Sequence, residues 1–420
     1  MKYFLPFVLL LTVLFSACDN QDITSESSPH IQKFYFSSHK DVPGIENISF
    51  TVDSVQCLIY NTDSIAYDSN LTKLLPYIQF TGSPNTIQIN GKDWKQTDSI
   101  DFSKPVSLYV LSQNKKGEAT YTITLNQHKH NPDEITWQPQ TPITLPAALQ
   151  TCNAITSQNK LYLFVATQEG GMLFTSNHAD TWANSSYTED IAPHSIGTYK
   201  DHIYALSTDG TQLYRLENDK WITIANNLNG MTKVIGELQQ KLWLTGNQAG
   251  VSVLYCYNGS TLQQVTDATL HPLFGIEGSA TLVTPTALYL IGGRYNEQAQ
   301  NCVISTDNGI YWTNLLNQSG KYAFTARSHA NAVAYYQQFY LFGGISTEKN
   351  IETTIFSSEN EGYSWTAIPA YQQLPSSYTW EEGSCAVVFN KNIYLFSPNA
   401  TENKIIPYKG RIRKADFIKQ

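Results

Sequence analysis

The sequence predicts an all-β protein: an immunoglobulin-like β-sandwich followed by a six-bladed β-propeller with aspartate-box turns. Three observations carry that expectation. The first is a short pattern ending in Trp. Ser305-Thr306-Asp307-Asn308-Gly309-Ile310-Tyr311-Trp312 fits S-x-D-x-G-x-x-W, Ser358 to Trp365 repeats it with Asn360 for the Asp, and Thr175 to Trp182 is a weaker copy. In such a box the acidic or amide side chain and the Gly close a tight turn between two strands. The second is a strand with an aromatic residue among aliphatics that recurs from about Ile135 onward. Its anchors, at 162, 204, 243, 289, 340 and 394, are spaced by 42, 39, 46, 51 and 54 residues, the period of a four-stranded blade. The third is a separate set of short alternating runs before the repeat begins.

The first 17 residues read as a lipoprotein signal peptide. Lys2 gives a short positive end, and Phe4 to Phe15 form an apolar core too short to span a bilayer. The core ends at Leu14-Phe15-Ser16-Ala17-Cys18, which resembles a bacterial lipobox and makes Cys18 the expected lipidation site. Residues 18–30 are polar and Ser-rich, as a flexible tether should be. The expected partner is therefore a membrane, reached through an N-terminal lipid, and the expected location is the cell envelope, at the outer membrane or cell surface.

Residues 31–127 hold the sandwich. Lys33–Phe36, Ile48–Val52, Gln56–Tyr60, Thr86–Ile89, Val106–Leu111 and Thr120–Leu125 alternate in polarity between Gly, Pro, Asn and Asp breaks. Residues 128–134 read as a linker, and His128 and His130 within it as a solvated pair, since no third metal ligand is suggested nearby. The propeller takes 135–420. Trp137 is expected on an orphan outer strand that closes the ring against the last blade; the alternative is that Arg411 to Phe417 completes that blade alone.

The paired glycines Gly292-Gly293 and Gly343-Gly344 follow two of the aromatic strands, and Arg327 and His329 precede the second pair. That stretch looks like a kelch repeat, so the propeller is expected to be kelch-like. The whole chain also resembles a Bacteroidetes lipoprotein family of unknown function, in which a lipobox is followed by an immunoglobulin-like domain and a kelch-like propeller. The residues that carry the resemblance are Phe15 to Cys18, Phe50-Thr51-Val52-Asp53-Ser54, the paired glycines, and the closing Lys409 to Phe417. It implies a cell-envelope location and no activity.

Composition narrows the function classes. Net charge is −8 and the five Arg (Arg215, Arg294, Arg327, Arg411, Arg413) form no basic footprint, which argues against nucleic acid as a partner. Beyond Cys18, the cysteines Cys57, Cys152, Cys256, Cys302 and Cys385 show no C-x-x-C pairing, which argues against a zinc framework. They read as small buried hydrophobes, with an odd number that leaves at least one thiol free and the pairing open. Aspartate boxes occur in sialidases, but the Arg-Ile-Pro segment expected there is missing, and beside Arg294 and Arg327, which could share a face, a third Arg for the triad is hard to find. G-x-S-x-G, H-E-x-x-H and a phosphate-binding glycine loop are likewise missing, and no cofactor is implied.

Binding is the better-supported class. The loops between blades and those joining second to third strands share one face, which in propellers receives ligands over the central channel. The candidates there are Trp380, Tyr378, Glu381, Glu382, Arg294, Arg327, His329 and Tyr322, with Phe274 and Phe324 beside them. Tyr378-Thr379-Trp380-Glu381-Glu382 sets two aromatics before two carboxylates, a pattern that can stack on a sugar ring and accept its hydroxyls. The expected ligand is a glycan or an envelope protein, bound without catalysis. The alternative is a glycoside hydrolase or lyase acting through carboxylates of that face.

Overall fold

The computed structural model describes residues 27–316, 320–399 and 401–416. Cys18 and the signal peptide, with most of the tether, lie outside the described residues. The chain divides into two compact units, Met1–Pro132 and Asp133–Gln420. Among the described residues no helix is long and apolar enough to cross a membrane.

The first unit is a β-sandwich. One sheet pairs Ile31–Phe36 with Pro76–Phe80; the other runs, in spatial order, Phe50–Asp53, Leu58–Asn61, Glu118–Thr124, Val106–Ser112, Pro84–Ile89 and Lys92–Asp93. Leu58–Asn61 lies parallel to Glu118–Thr124, and the other pairs are antiparallel. Alternation decides which face is inside: Val106, Leu108 and Val110 are buried while Ser107 points out. They meet Phe34, Phe36 and Ile78 of the facing sheet in one core. Sequence reasoning missed Pro76–Phe80, which opens on a Pro and so resembles a turn.

The second unit is a ring of six sheets. The first blade shows the plan: Leu149–Ser157, Lys160–Thr167, Gly170–Ser176 and Ala183–Tyr187 pair in chain order. The innermost strands of the later blades are Gly197–Tyr199, Met231–Leu238, Ala280–Val283, Asn331–Tyr335 and Cys385–Phe389. Each is followed by an anchor-bearing strand, and Tyr204, Trp243, Tyr289, Tyr340 and Tyr394 are buried between blades. Five of the inner hairpins turn on two residues with positive φ: Gln158-Asn159, Lys200-Asp201, Gln239-Gln240, Tyr336-Gln337 and Asn390-Lys391. Turns of that hand match the right-handed twist of the strands they join.

The last blade is completed from the other end of the propeller. Its strands Cys385–Phe389, Asn392–Asn399 and Lys404–Ile412 are joined on the outside by Ile135–Pro139, with Trp137 opposite Gly410 and Ile135 opposite Ile412. Of the two closures the sequence leaves open, the chain uses the first. The joint fits closely: a Cβ on Gly410 would stand 2.4 Å from the Trp137 ring. Arg413 pairs with Glu134 at 2.6 Å and Lys414 with Asp133 at 2.9 Å beside it.

The three Trp-ended octapeptides are turns, but two use a different register from the one expected. In the fifth blade Ser358 Oγ accepts from Gly362 N at 2.9 Å and Asn360 Oδ1 from Ser364 N at 2.9 Å, as the pattern requires. In the fourth, the accepting groups are Thr306 and Asn308, not Ser305 and Asp307. Thr306 Oγ1 takes Gly309 N at 2.9 Å and Asn308 Oδ1 takes Ile310 N at 2.8 Å. In the first, Ser176 Oγ rather than Thr175 takes Ala179 N at 2.8 Å. The fourth and fifth blades share the Trp contact: Trp312 Nε1 donates to Gly309 O and Trp365 Nε1 to Gly362 O, each at 3.1 Å.

Candidate functional site

The inner strands leave a cavity of about 1480 Å³ at the centre of the ring, open on the face of the inter-blade loops. Side chains of all six blades line it, from each inner strand or the loop before it: Asn153, His194, Lys233, Glu277, His329, Asn331 and Glu382. Arg294, at the loop between the second and third strands of the fourth blade, joins them with Tyr295.

Many of these groups also tie one blade to the next. Asn153 Nδ2 donates to Pro193 O at 2.9 Å, Lys233 Nζ to Ser279 O, and Asn331 Nδ2 to Ser384 O at 3.0 Å. His329 N donates to Gly278 O at 2.6 Å, and a Cβ on Gly278 would lie 2.7 Å from the His329 ring. His329 holds a left-handed backbone (φ 54), tolerated by His more readily than by bulky residues. Arg294 donates to Glu297 O at 3.4 Å and to Ser346 O at 3.2 Å. Among the described residues neither Lys233 nor Arg294 forms an ion pair with a carboxylate.

Enclosure within the ring sets the protonation of this cluster. Burial pulls the Lys233 ammonium down to about 8. Burial, then the nearby charge of Lys233 and the His329 ring, pulls His194 down to about 4. His329 is also lowered: burial comes first, and the repulsion of Lys233 and Arg294 adds to it against the opposing pull of Glu277 and Glu382. The two imidazoles thus lose their protons more readily than free ones do, and Lys233 and Arg294 stand among them with Glu277 and Glu382. Such a lining can donate and accept hydrogen bonds around a polar ligand. Among the described residues no group of His, Cys, Asp and Glu is arranged to hold a metal ion.

The structure divides the residues singled out in the sequence. Arg294, His329 and Glu382 line the central cavity. Trp380 and Tyr378 do not; they belong to the core between the fifth and sixth blades. Trp380 is 7% exposed, stacks on Phe342 at 6.3 Å between centroids, and covers Gly343, whose added Cβ would stand 1.7 Å from the indole nitrogen. The two rings border a separate cavity of about 240 Å³ between those blades. Arg327 is fully buried, donating to Gly343 O and Thr354 O at 2.9 Å each and to Thr325 O at 3.0 Å, with its guanidinium over Phe356. Those carbonyls satisfy a charge that would otherwise be costly to bury. Burial brings it down only to about 10, so it stays charged.

Phe274 and Phe324 are likewise interior, set edge-on to Trp312 at 4.7 Å and Trp365 at 5.5 Å. Tyr322 is exposed, and Glu381 is half-buried with its N–H held by Ser384 Oγ at 3.1 Å; neither lines the central cavity. Of the aromatic-acidic stretch, Glu382 reaches the cavity, whereas Tyr378 and Trp380 fill the seam over Gly343. Sequence reasoning missed Lys233, His194 and Glu277. A signal for them exists: His194, Lys233 and Ser279 stand ten residues before their anchors (194 and 204, 233 and 243, 279 and 289), and Glu277 and Glu382 stand twelve before theirs.

A solved structure of YjhT is similar to this chain, at 11% identity and a TM-score of 0.48, covering 63% of this chain and 95% of its own. A search of curated proteins found no match. The family model described as the N-terminal domain of DUF6242, a domain of unknown function, matches residues 21–125. The model described as the DUF6242 beta propeller domain matches residues 131–420, most of the chain, which therefore belongs to the DUF6242 family.

Proposed function

We propose that this protein is a lipid-anchored component of the cell envelope whose propeller binds a glycan, without catalysis, at the mouth of its central cavity. The observation that carries the reading is the convergence of Lys233, Arg294, His194, His329, Glu277 and Glu382 on one cavity of about 1480 Å³. A space of that size with several converging polar groups suits a ligand rich in hydroxyls. Because Lys233 and Arg294 are tied to carbonyls rather than to carboxylates, a glycan that brings its own carboxylate is favoured. The anchor rests on Lys2, the apolar run from Phe4 to Phe15, and the sequence ending at Cys18.

The test is a glycan array probed with the chain from Gln21 onward, with turnover of any hit followed over a day. Binding that needs Lys233 and Arg294, and yields no product, supports the reading. Binding by a protein partner alone, with silence on the array, sinks the glycan. A second reading has one observation in its favour: Glu277 and Glu382 approach His329 from the blades on either side, so two carboxylates share the cavity. Product formation lost in Glu277→Gln or Glu382→Gln would establish that hydrolase or lyase reading instead.

A further inference from the structure

Each seam of the ring must be held where two inner strands meet, and most seams use a side chain from one blade on a carbonyl of the next. The seam between the first and last blades is different. Cys152, on Leu149–Ser157, directs its thiol at Gly383 O, 3.0 Å away, and its Sγ lies 3.4 Å from the Sγ of Cys385 at the start of Cys385–Phe389. Both side chains are buried, at 6% and 1% exposure. They are 233 residues apart in the chain, and among the described cysteines this is the pair in sulfur–sulfur contact.

We propose that Cys152 and Cys385 form a disulfide that closes the propeller covalently when the protein meets a disulfide oxidant. A bonded pair needs a separation of about 2.05 Å, so the sulfurs must approach by little more than an ångström. Adjustment of the two side chains can supply that movement on neighbouring inner strands, at the cost of the weak contact to Gly383 O. Access favours one order of events. Cys152 lines the central cavity, whereas Cys385 does not.

The Cys152 thiolate attacks one sulfur of the oxidant disulfide, forming a mixed disulfide and releasing the first thiol. The Cys385 sulfur then attacks Cys152 Sγ, displacing the second thiol, which leaves with the Cys385 proton. In total two protein thiols are oxidised and one external disulfide is reduced to two thiols. Burial holds the Cys385 thiol well above its ordinary range, which makes the second step the slow one.

The bridge would also alter unfolding, because it restricts a loop spanning most of the propeller in the denatured chain. The remaining cysteines have other surroundings: Cys57 is half-buried in the sandwich, and Cys302 is pushed up to about 11 by burial with its thiol toward Gly292 O.

The experiment exposes the folded full-length chain to oxidised glutathione. Thiol titration and intact mass are measured, and a non-reducing peptide map follows. The expected result is a loss of two titratable thiols, a mass lower by two hydrogens, and a linked peptide pair containing Cys152 and Cys385. Neither Cys152→Ser nor Cys385→Ser should lose two thiols, while Cys256→Ser should behave like the parent. Oxidised parent protein should melt higher than reduced, and the Cys152→Ser chain should show no such difference. An unchanged thiol count in natively folded protein overturns the proposal. So does a bridge between any other cysteines, or a glutathione adduct at Cys152 that never resolves.

Discussion

Replacing Trp380 by Ala separates the two roles its position allows, a wall of the blade seam or a platform for a ligand. The ring is 7% exposed, stacks on Phe342 at 6.3 Å and 15°, and touches Tyr378 at 5.9 Å. Beneath it Gly343 has no side chain to collapse into the space, and its φ of 60 makes a larger residue there strained. Removing a buried Trp under such conditions costs about 3–5 kcal/mol. For a unit the size of Asp133–Gln420 that corresponds to a fall in melting temperature of roughly 6–10 °C. Trp380→Phe keeps the stack on Phe342 and should lose about half as much. The assay is thermal unfolding followed by near-ultraviolet circular dichroism, with glycan binding measured well below the transition. A melting temperature within about 1 °C of the parent, combined with lost binding, would refute the argument and return Trp380 to the ligand site.

Two further outcomes are expected. Lys233 is protonated less readily in the folded chain (about 8) than in the unfolded one (about 10.4), so its charge opposes folding at neutral pH by at most about 3 kcal/mol. That penalty is complete below pH 8 and is relieved as pH rises towards the unfolded value. Lys233→Met should therefore be more stable than the parent at pH 7, with the difference shrinking between about pH 8 and 10 in urea titrations; parallel curves for the two chains would contradict this. For the anchor, Cys18→Ser should move the protein from the membrane to the soluble fraction, or leave it unprocessed; membrane retention of processed mutant protein would end the lipid hypothesis.

The parts of the fold legible in the sequence are those whose pattern is local. Leu161-Tyr162-Leu163-Phe164 and its five counterparts are buried on both faces save for the half-buried Tyr162, so they read as continuous apolar runs and mark the second strand of every blade. Inner strands such as Gly197–Tyr199 and Ala280–Val283 are short and lined on one side by the cavity, and their composition says little. The box register in the fourth blade was misread because Ser305 and Thr306, like Asp307 and Asn308, offer equivalent acceptors one residue apart. The cavity was harder still. It takes its polar residues from separate blades, so no window of sequence contains it. Arg294, His329 and Glu382 were found because they adjoin recognisable motifs, whereas Lys233 and His194 become visible only when the repeats are aligned on their aromatic anchors.

Among the propeller's strands the outer strand Ile135–Pro139 is made first and used last. Its partners, up to Ile412, lie about 275 residues further along, as the Thr136 hydroxyl bond to Arg411 O records. At ordinary synthesis rates that interval is roughly 14–55 s. Throughout it a strand edge carrying Trp137 waits with no mate, a condition that invites pairing between nascent chains. Pro139 and Pro142 stand just behind that edge, where each removes a backbone donor and denies a neighbour a continuous ladder. Pro139 at the end of the strand and Pro142 just beyond it would thus act as a guard on the ribosome, limiting the donors that Ile135–Pro139 offers until the last blade arrives.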